Sequence, residues 1–214
     1  MAKPIDWYFD FISPFSYLQS ERLEEFPAEL HCKPVLFAGL LGHWGQKGPA
    51  EIGLKRQFTY RHVIWMAGKL DIPMRFPAAH PFNPLLLLRL AVALNCGRDT
   101  VQTIFRFVWR DGLSPDSAEN LQALATALGL SGVDELNALA NSPQAKEGLR
   151  KNGEAAIARG VFGVPTIAIG DELFWGFDAT DMALDYLRDN KLFERGEMQR
   201  VSQLPIGAAR KAGS

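Results

Sequence analysis

Ile5-Asp6-Trp7-Tyr8-Phe9-Asp10-Phe11-Ile12-Ser13-Pro14-Phe15-Ser16-Tyr17-Leu18 is the stretch on which the reading of this chain turns. Apolar side chains at 5, 7, 9 and 11 recur with the period of two that marks a strand with one strongly apolar face. Ser13-Pro14 follows at once: the serine can cap free N–H groups, and a proline at the first helical position loses nothing by lacking its own. A helix is predicted from there, burying Phe15, Leu18, Leu23 and Phe26 and stopping at Pro27. A second strand is predicted over residues 31–37, with Pro34 marking an edge position or a late start. Strand, helix, strand is a βαβ opening, and it implies a parallel pair joined by a crossover helix.

Downstream the chain changes character. From about residue 50 to 159 helical stripes dominate: Val101, Ile104, Phe105 and Val108 on one face, then Leu121, Leu124, Ala125 and Leu128 on another. Ser114-Pro115 repeats the cap-plus-proline start signal before the second of these. Strand character returns after Gly163, where residues 166–169 and 173–175 flank Glu172 and the turn dipeptide Gly170-Asp171, a hairpin pattern. Asp178 or Thr180 is the expected cap of a last helix through Met182, Ala183, Tyr186 and Leu187. The segment from Gly196 carries no stripe and is expected to fray. The fold class is therefore α/β, β-α-β then β-β-α, interrupted by a helical lid. Residues 1–45 and 155–200 are assigned to the discontinuous α/β domain, 46–154 to the helical insertion and 201–214 to a flexible tail.

Composition narrows the function. With 214 residues, 47% hydrophobic and 22% charged, the chain is long and apolar enough to bury a core, which argues against a disordered or fibrous protein. A net charge of -1 and the lack of a Lys/Arg block argue against nucleic acid or an anionic membrane as partner. The longest apolar stretch, Leu85 to Leu94, is broken by Arg89 and is too short to span a bilayer. Asp6 and Asp10 interrupt any signal-peptide hydrophobic region, so a cytoplasmic location is expected. Cys32 and Cys96 show neither CxxC nor zinc-site spacing, so no metal is expected, and they read as two buried small hydrophobes in a reducing compartment.

Two features could carry chemistry. A side chain where strand one meets helix one lies at the carboxyl end of the sheet, where open α/β folds bind ligands, beside unpaired N–H groups that suit an anion, thiolates included. Capping alone is the competing role for Ser13. In Gly160-Val161-Phe162-Gly163-Val164-Pro165-Thr166, the valine before proline is held extended, its backbone free to pair with a peptide-like ligand; an ordinary loop entry with a trans proline is the alternative.

Together, the strand followed by Ser13-Pro14-Phe15-Ser16-Tyr17-Leu18, the helical insertion, Val164-Pro165-Thr166 before a hairpin and Trp175-Gly176-Phe177-Asp178 resemble the 2-hydroxychromene-2-carboxylate isomerases. These are relatives of the kappa-class glutathione transferases within the thioredoxin-fold group of bacterial disulfide oxidoreductases. The resemblance runs from about Ile5 to Leu187 and implies a thioredoxin-like fold with glutathione as cofactor. Redox relatives carry Cys-x-x-Cys where this chain has Ser13 and Ser16, which excludes disulfide exchange there. A hydroxyl can still donate a hydrogen bond to a cofactor sulfur, and comparable surroundings lower a thiol from ~8.5 to roughly 3.5–7.5.

The resemblance also implies individual roles. Ser13 takes the catalytic position, Val164 pairs through its backbone with the glutathione cysteinyl group, and Trp175, Gly176, Phe177 and Asp178 bind the γ-glutamyl end. Lys55, after Gly48-Pro49, aligns with a lysine that binds a carboxylate, while Gln46 stands where related transferases carry an asparagine. Asn83, in Phe76 to Asn83, is the polar candidate of the substrate pocket, and His80 is weighed as a general base against a capped or surface histidine. The implied reaction is cis–trans isomerisation of a chromene-2-carboxylate to a benzylidenepyruvate, an aromatic α-keto acid of aromatic catabolism, through reversible addition of the cofactor thiolate; a homodimer is expected. The rival readings are a kappa-type transferase or peroxidase acting on other electrophiles, and a non-catalytic thioredoxin-fold binding module.

Overall fold

The computed structural model describes residues 4–27 and 29–208. Four strands, β1 (Ile5–Phe9), β2 (Leu30–Pro34), β3 (Thr166–Ile169) and β4 (Glu172–Trp175), form one sheet in the order β2-β1-β3-β4. β1 runs parallel to β2 and antiparallel to β3, with Trp7 opposite both Cys32 and Ile167. β4 pairs antiparallel with β3 through a turn in which Gly170 has φ 59°. Pro34 does end an edge strand, as its missing N–H predicts.

The period of two in β1 sorts its side chains onto two cores. Ile5, Trp7 and Phe9 enter the larger one, under α1 (Pro14–Ser20), α5 (Arg98–Trp109) and α9 (Thr180–Arg188). Tyr8 faces the smaller, which holds Val35, Leu40, Ala156, Val161, Val164 and Ala168 beneath α2 (Phe37–Trp44) and α8 (Pro143–Ala158). The remaining helices are α3 (Gly53–Lys69), α4 (Leu85–Ala93), α6 (Ala118–Ala127), α7 (Val133–Asn141) and α10 (Gly196–Val201). Among the described residues no helix is long and apolar enough to cross a membrane.

The helical insertion is more than the expected lid, because α5 is part of the sheet's own core. Phe105 packs its ring 4.7 Å from Phe11, 5.4 Å from Phe9 and 5.8 Å from Trp7. Arg106, on the same helix, grips Glu21 at the end of α1 with two hydrogen bonds of 2.9 and 2.7 Å. α8 crosses residues 154–155, where the sequence reading divides the chain.

Other boundaries differ from expectation for local reasons. α1 stops at Ser20 rather than near Pro27, and a single 3-10 turn, Leu23–Glu25, follows. Leu23 and Phe26 are nevertheless buried. β2 ends at Pro34, three residues short of the predicted end, and Phe37, the last residue of the predicted strand, starts α2 instead. Ser117, not Ser114, caps α6, accepting from the Asn120 amide at 3.1 Å. Neither Asp178 nor Thr180 caps α9: its N-cap is Ala179, and the Thr180 hydroxyl donates to the Phe177 carbonyl at 2.5 Å. Residues 196–201 form a short helix where fraying is predicted, and residues 209–214 of the predicted tail lie outside the described residues.

Because Phe105 lies against three β1-side aromatic rings and is fully buried, Phe105→Ala is expected to cost about 3–5 kcal/mol of stability, read as a lowered urea midpoint.

Candidate active site

β1 leads into α1 through a turn, Asp10 to Ser13, closed by the Ser13 amide donating to the Asp10 carbonyl at 3.0 Å. Side chains take its other polar groups. The Asp10 carboxyl accepts from the Ile12 amide at 3.1 Å and from the Phe37 amide, the first of α2, at 2.8 Å. The Trp109 indole donates to the Phe11 carbonyl at 2.8 Å. His80 Nε2 donates to the Ile12 carbonyl at 2.8 Å. Asp10 is 1% exposed, and burial pushes its carboxyl up to about 7 against the two backbone N–H bonds that favour its charge.

Ser13 is the N-cap of α1: its Oγ accepts from the Ser16 amide at 3.1 Å, and the side chain stays 7% exposed. A hydroxyl has one proton as well as lone pairs, so capping leaves the Ser13 O–H to donate. The capping role and a ligand-facing role are therefore compatible. Buried Ser16 Oγ has no hydrogen-bond partner.

β1 pairing with β3 ends at Tyr8 opposite Thr166, so Val164 emerges at the same end of the sheet as the Asp10–Ser13 turn. The Val164–Pro165 bond is cis. Trp175 lies against this loop, its ring 5.1 Å from Phe162, and a Cβ on Gly163 would overlap the indole nitrogen, so the ring rests here because residue 163 is glycine. Gly176, at φ 97°, donates its amide to the Pro165 carbonyl at 2.9 Å and offers its own carbonyl to Gln19 of α1. Asp178 is exposed, with its carboxylate over Gly176. Four sequence candidates, Ser13, Val164, Trp175 and Gly176, thus gather around α1 and the loop before β3, with Phe177 buried beneath.

The insertion candidates lie further out. Lys55 is exposed on the first turn of α3, and Gln46 is exposed just past α2. Exposed Asn83 accepts from the Leu85 amide at 3.0 Å, an Asx turn that starts α4 and leaves its amide group free. His80 is no surface histidine. Tyr60 Oη lies 2.6 Å from its Nδ1 and 3.0 Å from its carbonyl. With Nε2 donating to Ile12, the neutral ring accepts the Tyr60 proton at Nδ1, so both nitrogens are occupied and neither is a free base. The sequence reading missed Asp10, Tyr60 and Trp109, whose partners at Phe37, His80 and Phe11 lie 20 or more residues away along the chain. It also missed an aromatic row on α3, where His62 stacks on Phe58 and Trp65 and meets Phe15 of α1 edge-on at 6.3 Å.

Both thiols are remote from Ser13. Cys32 and Cys96 line a cavity of about 690 Å³ along the open edge of β2, and burial pushes them up to about 12 and about 11. Among the described residues no cluster of three His, Cys, Asp or Glu could hold a metal ion.

Comparison with known proteins agrees with this fold. Residues 4–188 match the family described as DSBA-like thioredoxin domain. A 2-hydroxychromene-2-carboxylate isomerase from Sphingobium xenophagum is 31% identical over 199 residues, covering 88% of this chain and 100% of the relative. Glutathione S-transferase kappa 2 of Caenorhabditis elegans is 26% identical, covering 87% and 92%. The solved structure of a selenomethionine 2-hydroxychromene-2-carboxylate isomerase superposes with a TM-score of 0.76 at 26% identity, over 94% of this chain and all of the other.

Two titrations of opposite sign follow from the turn. Burial, the largest influence on His80, lowers it below the ordinary 6.5, so the stability that its neutral form contributes is present above about 6.5 and is lost as pH falls through the folded value. Asp10 is raised, so its contribution is present below about 4 and is lost as pH rises through about 7. Nitrogen and carboxyl-carbon NMR of the folded chain is expected to show a neutral Nε2–H His80 at pH 7 and an Asp10 midpoint near 7.

Proposed function

The chain belongs to the 2-hydroxychromene-2-carboxylate isomerase family of DSBA-like thioredoxin domains, and on that premise we propose that it is a glutathione-dependent cis–trans isomerase of an aromatic α-keto acid. The observation that carries this reading is Ser13, a capping serine with its own proton to spare at the mouth of α1. The residues around it fit a tripeptide thiol. Val164, at the bend before Pro165, offers its backbone to a cysteinyl group. The exposed Asp178 carboxylate suits an ammonium group, beside Trp175 and Gly176. Lys55 suits a carboxylate.

Bound glutathione supplies the nucleophilic sulfur that the chain lacks at this position. The chain's own part is positioning. Ser13 donates its hydroxyl proton as a hydrogen bond to the sulfur, favouring the thiolate, and the partial positive charge at the start of α1 acts in the same sense. The aromatic row of Phe58, His62 and Trp65, continuous with Phe15, offers a flat apolar surface for the body of the substrate, and the free amide group of Asn83 can meet its oxygens. His80 acts through the Ile12 carbonyl and transfers no proton.

Two measurements test this. Turnover of 2-hydroxychromene-2-carboxylate is expected only with glutathione added, and glutathione is expected back unchanged; a stable thioether product would replace this reading with a transferase. Ser13→Ala is expected to lower kcat about a hundredfold by removing one donor to developing charge. Loss of the cap costs the same variant only about 1 kcal/mol of stability, so circular dichroism should find it folded.

A further inference from the structure

Arg89 interrupts the otherwise apolar α4, Leu85–Ala93, and the Ser13 site makes no use of it. Its Nε is buried without an acceptor, and no acid among the described residues pairs with it. The side chain lines a groove of about 320 Å³ between α2, α4 and α8, floored by Leu36, Leu40, Leu149 and Ile157. Lys146 lines the same groove, likewise without an acid partner among the described residues. Two further charges on this wall cancel: Glu154 is held by Arg150, which also binds Glu147 at 2.6 Å. The groove therefore keeps two uncompensated cations above an apolar floor.

Its openness is built in. Gly39 of α2 and Gly153 of α8 line it from opposite walls, and a Cβ on either would meet nothing within 4 Å. Glycine inside a helix is destabilising relative to alanine, and here no close packing compensates. What the two glycines do is leave space.

We propose that this groove binds a small carboxylate with a compact apolar body, its headgroup taken by Arg89 and Lys146 and its body seated between Gly39 and Gly153. A guanidinium matches a carboxylate in two parallel hydrogen bonds, and the partial burial of Arg89 strengthens such a pair. The volume lies at the small end of ligand pockets, which run from ~300 to ~1,000 Å³. Inorganic phosphate has no apolar body and would leave the floor of Leu36, Leu40, Leu149 and Ile157 uncovered. The site shares no residue with the Ser13 site, so its failure would leave that reading intact.

Titration of the full chain with sodium benzoate, followed by NMR and calorimetry with inorganic phosphate in parallel, tests the proposal. The expected result is one-to-one benzoate binding that shifts the Gly39 and Gly153 amide signals, with phosphate at least tenfold weaker. Arg89→Gln is expected to weaken benzoate at least tenfold. Gly153→Leu, whose side chain enters open space, is expected to abolish binding without lowering the melting temperature. If Arg89→Gln does not fold, Lys146→Gln takes its place. No shift at Gly39 and Gly153, equal affinity in the variants, or phosphate binding as tightly as benzoate would each overturn the assignment.

Discussion

Four residues, Asp10 to Ser13, connect the central parallel strand to the first helix, and the geometry of the site depends on how their backbone is held. A connection at the end of a sheet exposes N–H and C=O groups that regular structure leaves unpaired, and each must find a partner or lose free energy. Here the Ile12 amide goes to Asp10, the Phe11 carbonyl to Trp109 and the Ile12 carbonyl to His80. Asp10 also takes the first amide of α2, so one carboxyl fastens the turn to the helix on the opposite face of the sheet. Ser13 is aimed by this network rather than by its own packing.

That arrangement accounts for a site without sulfur of its own. The helix mouth can favour an anion, but the chain's two thiols sit elsewhere, in surroundings that hold them protonated. A serine at the cap is chemically modest, but a hydroxyl fixed in place loses little further entropy when it donates to a partner. Asp10 shows what the fixation costs, since a carboxyl wholly removed from water is kept largely for its two backbone bonds and releases its proton only near neutrality.

The parts of this picture legible in the sequence are those written in local pattern. Alternation in residues 5–11 and the Ser13-Pro14 signal gave β1 and the start of α1, and Gly170-Asp171 marked the hairpin, because strand period, capping and turn chemistry act over a few residues. α2 was hidden because Gly39 and Gly42 dilute its helical signal while its first amide is satisfied from a distant strand. Ser114-Pro115 misled because Ser117, three residues on, offers the same capping chemistry in better register. Val164 is marked by its place before Pro165 and Trp175 and Gly176 by resemblance, and the pairing of β1 with β3 supplies the physical reason they meet Ser13's end of the sheet. His80 could be weighed only as base or bystander, for nothing in Phe76 to Asn83 announces an acceptor at Ile12 or a donor at Tyr60.

The helical insertion consequently does two jobs that pull in different directions. Through Trp109, Phe105 and Arg106 it is welded to β1 and α1, so α5 cannot move without disturbing the turn. Through α3 it presents Phe58 and Trp65 to solvent beside Phe15, where side chains bear little of the core's packing. Substitution on α3 can therefore reshape what approaches Ser13 at small cost in stability, whereas substitution on the inner face of α5 changes the position of Ser13 itself. One insertion can in this way hold the hydroxyl in place while the α3 surface beside it varies, without any rebuilding of the sheet that positions it.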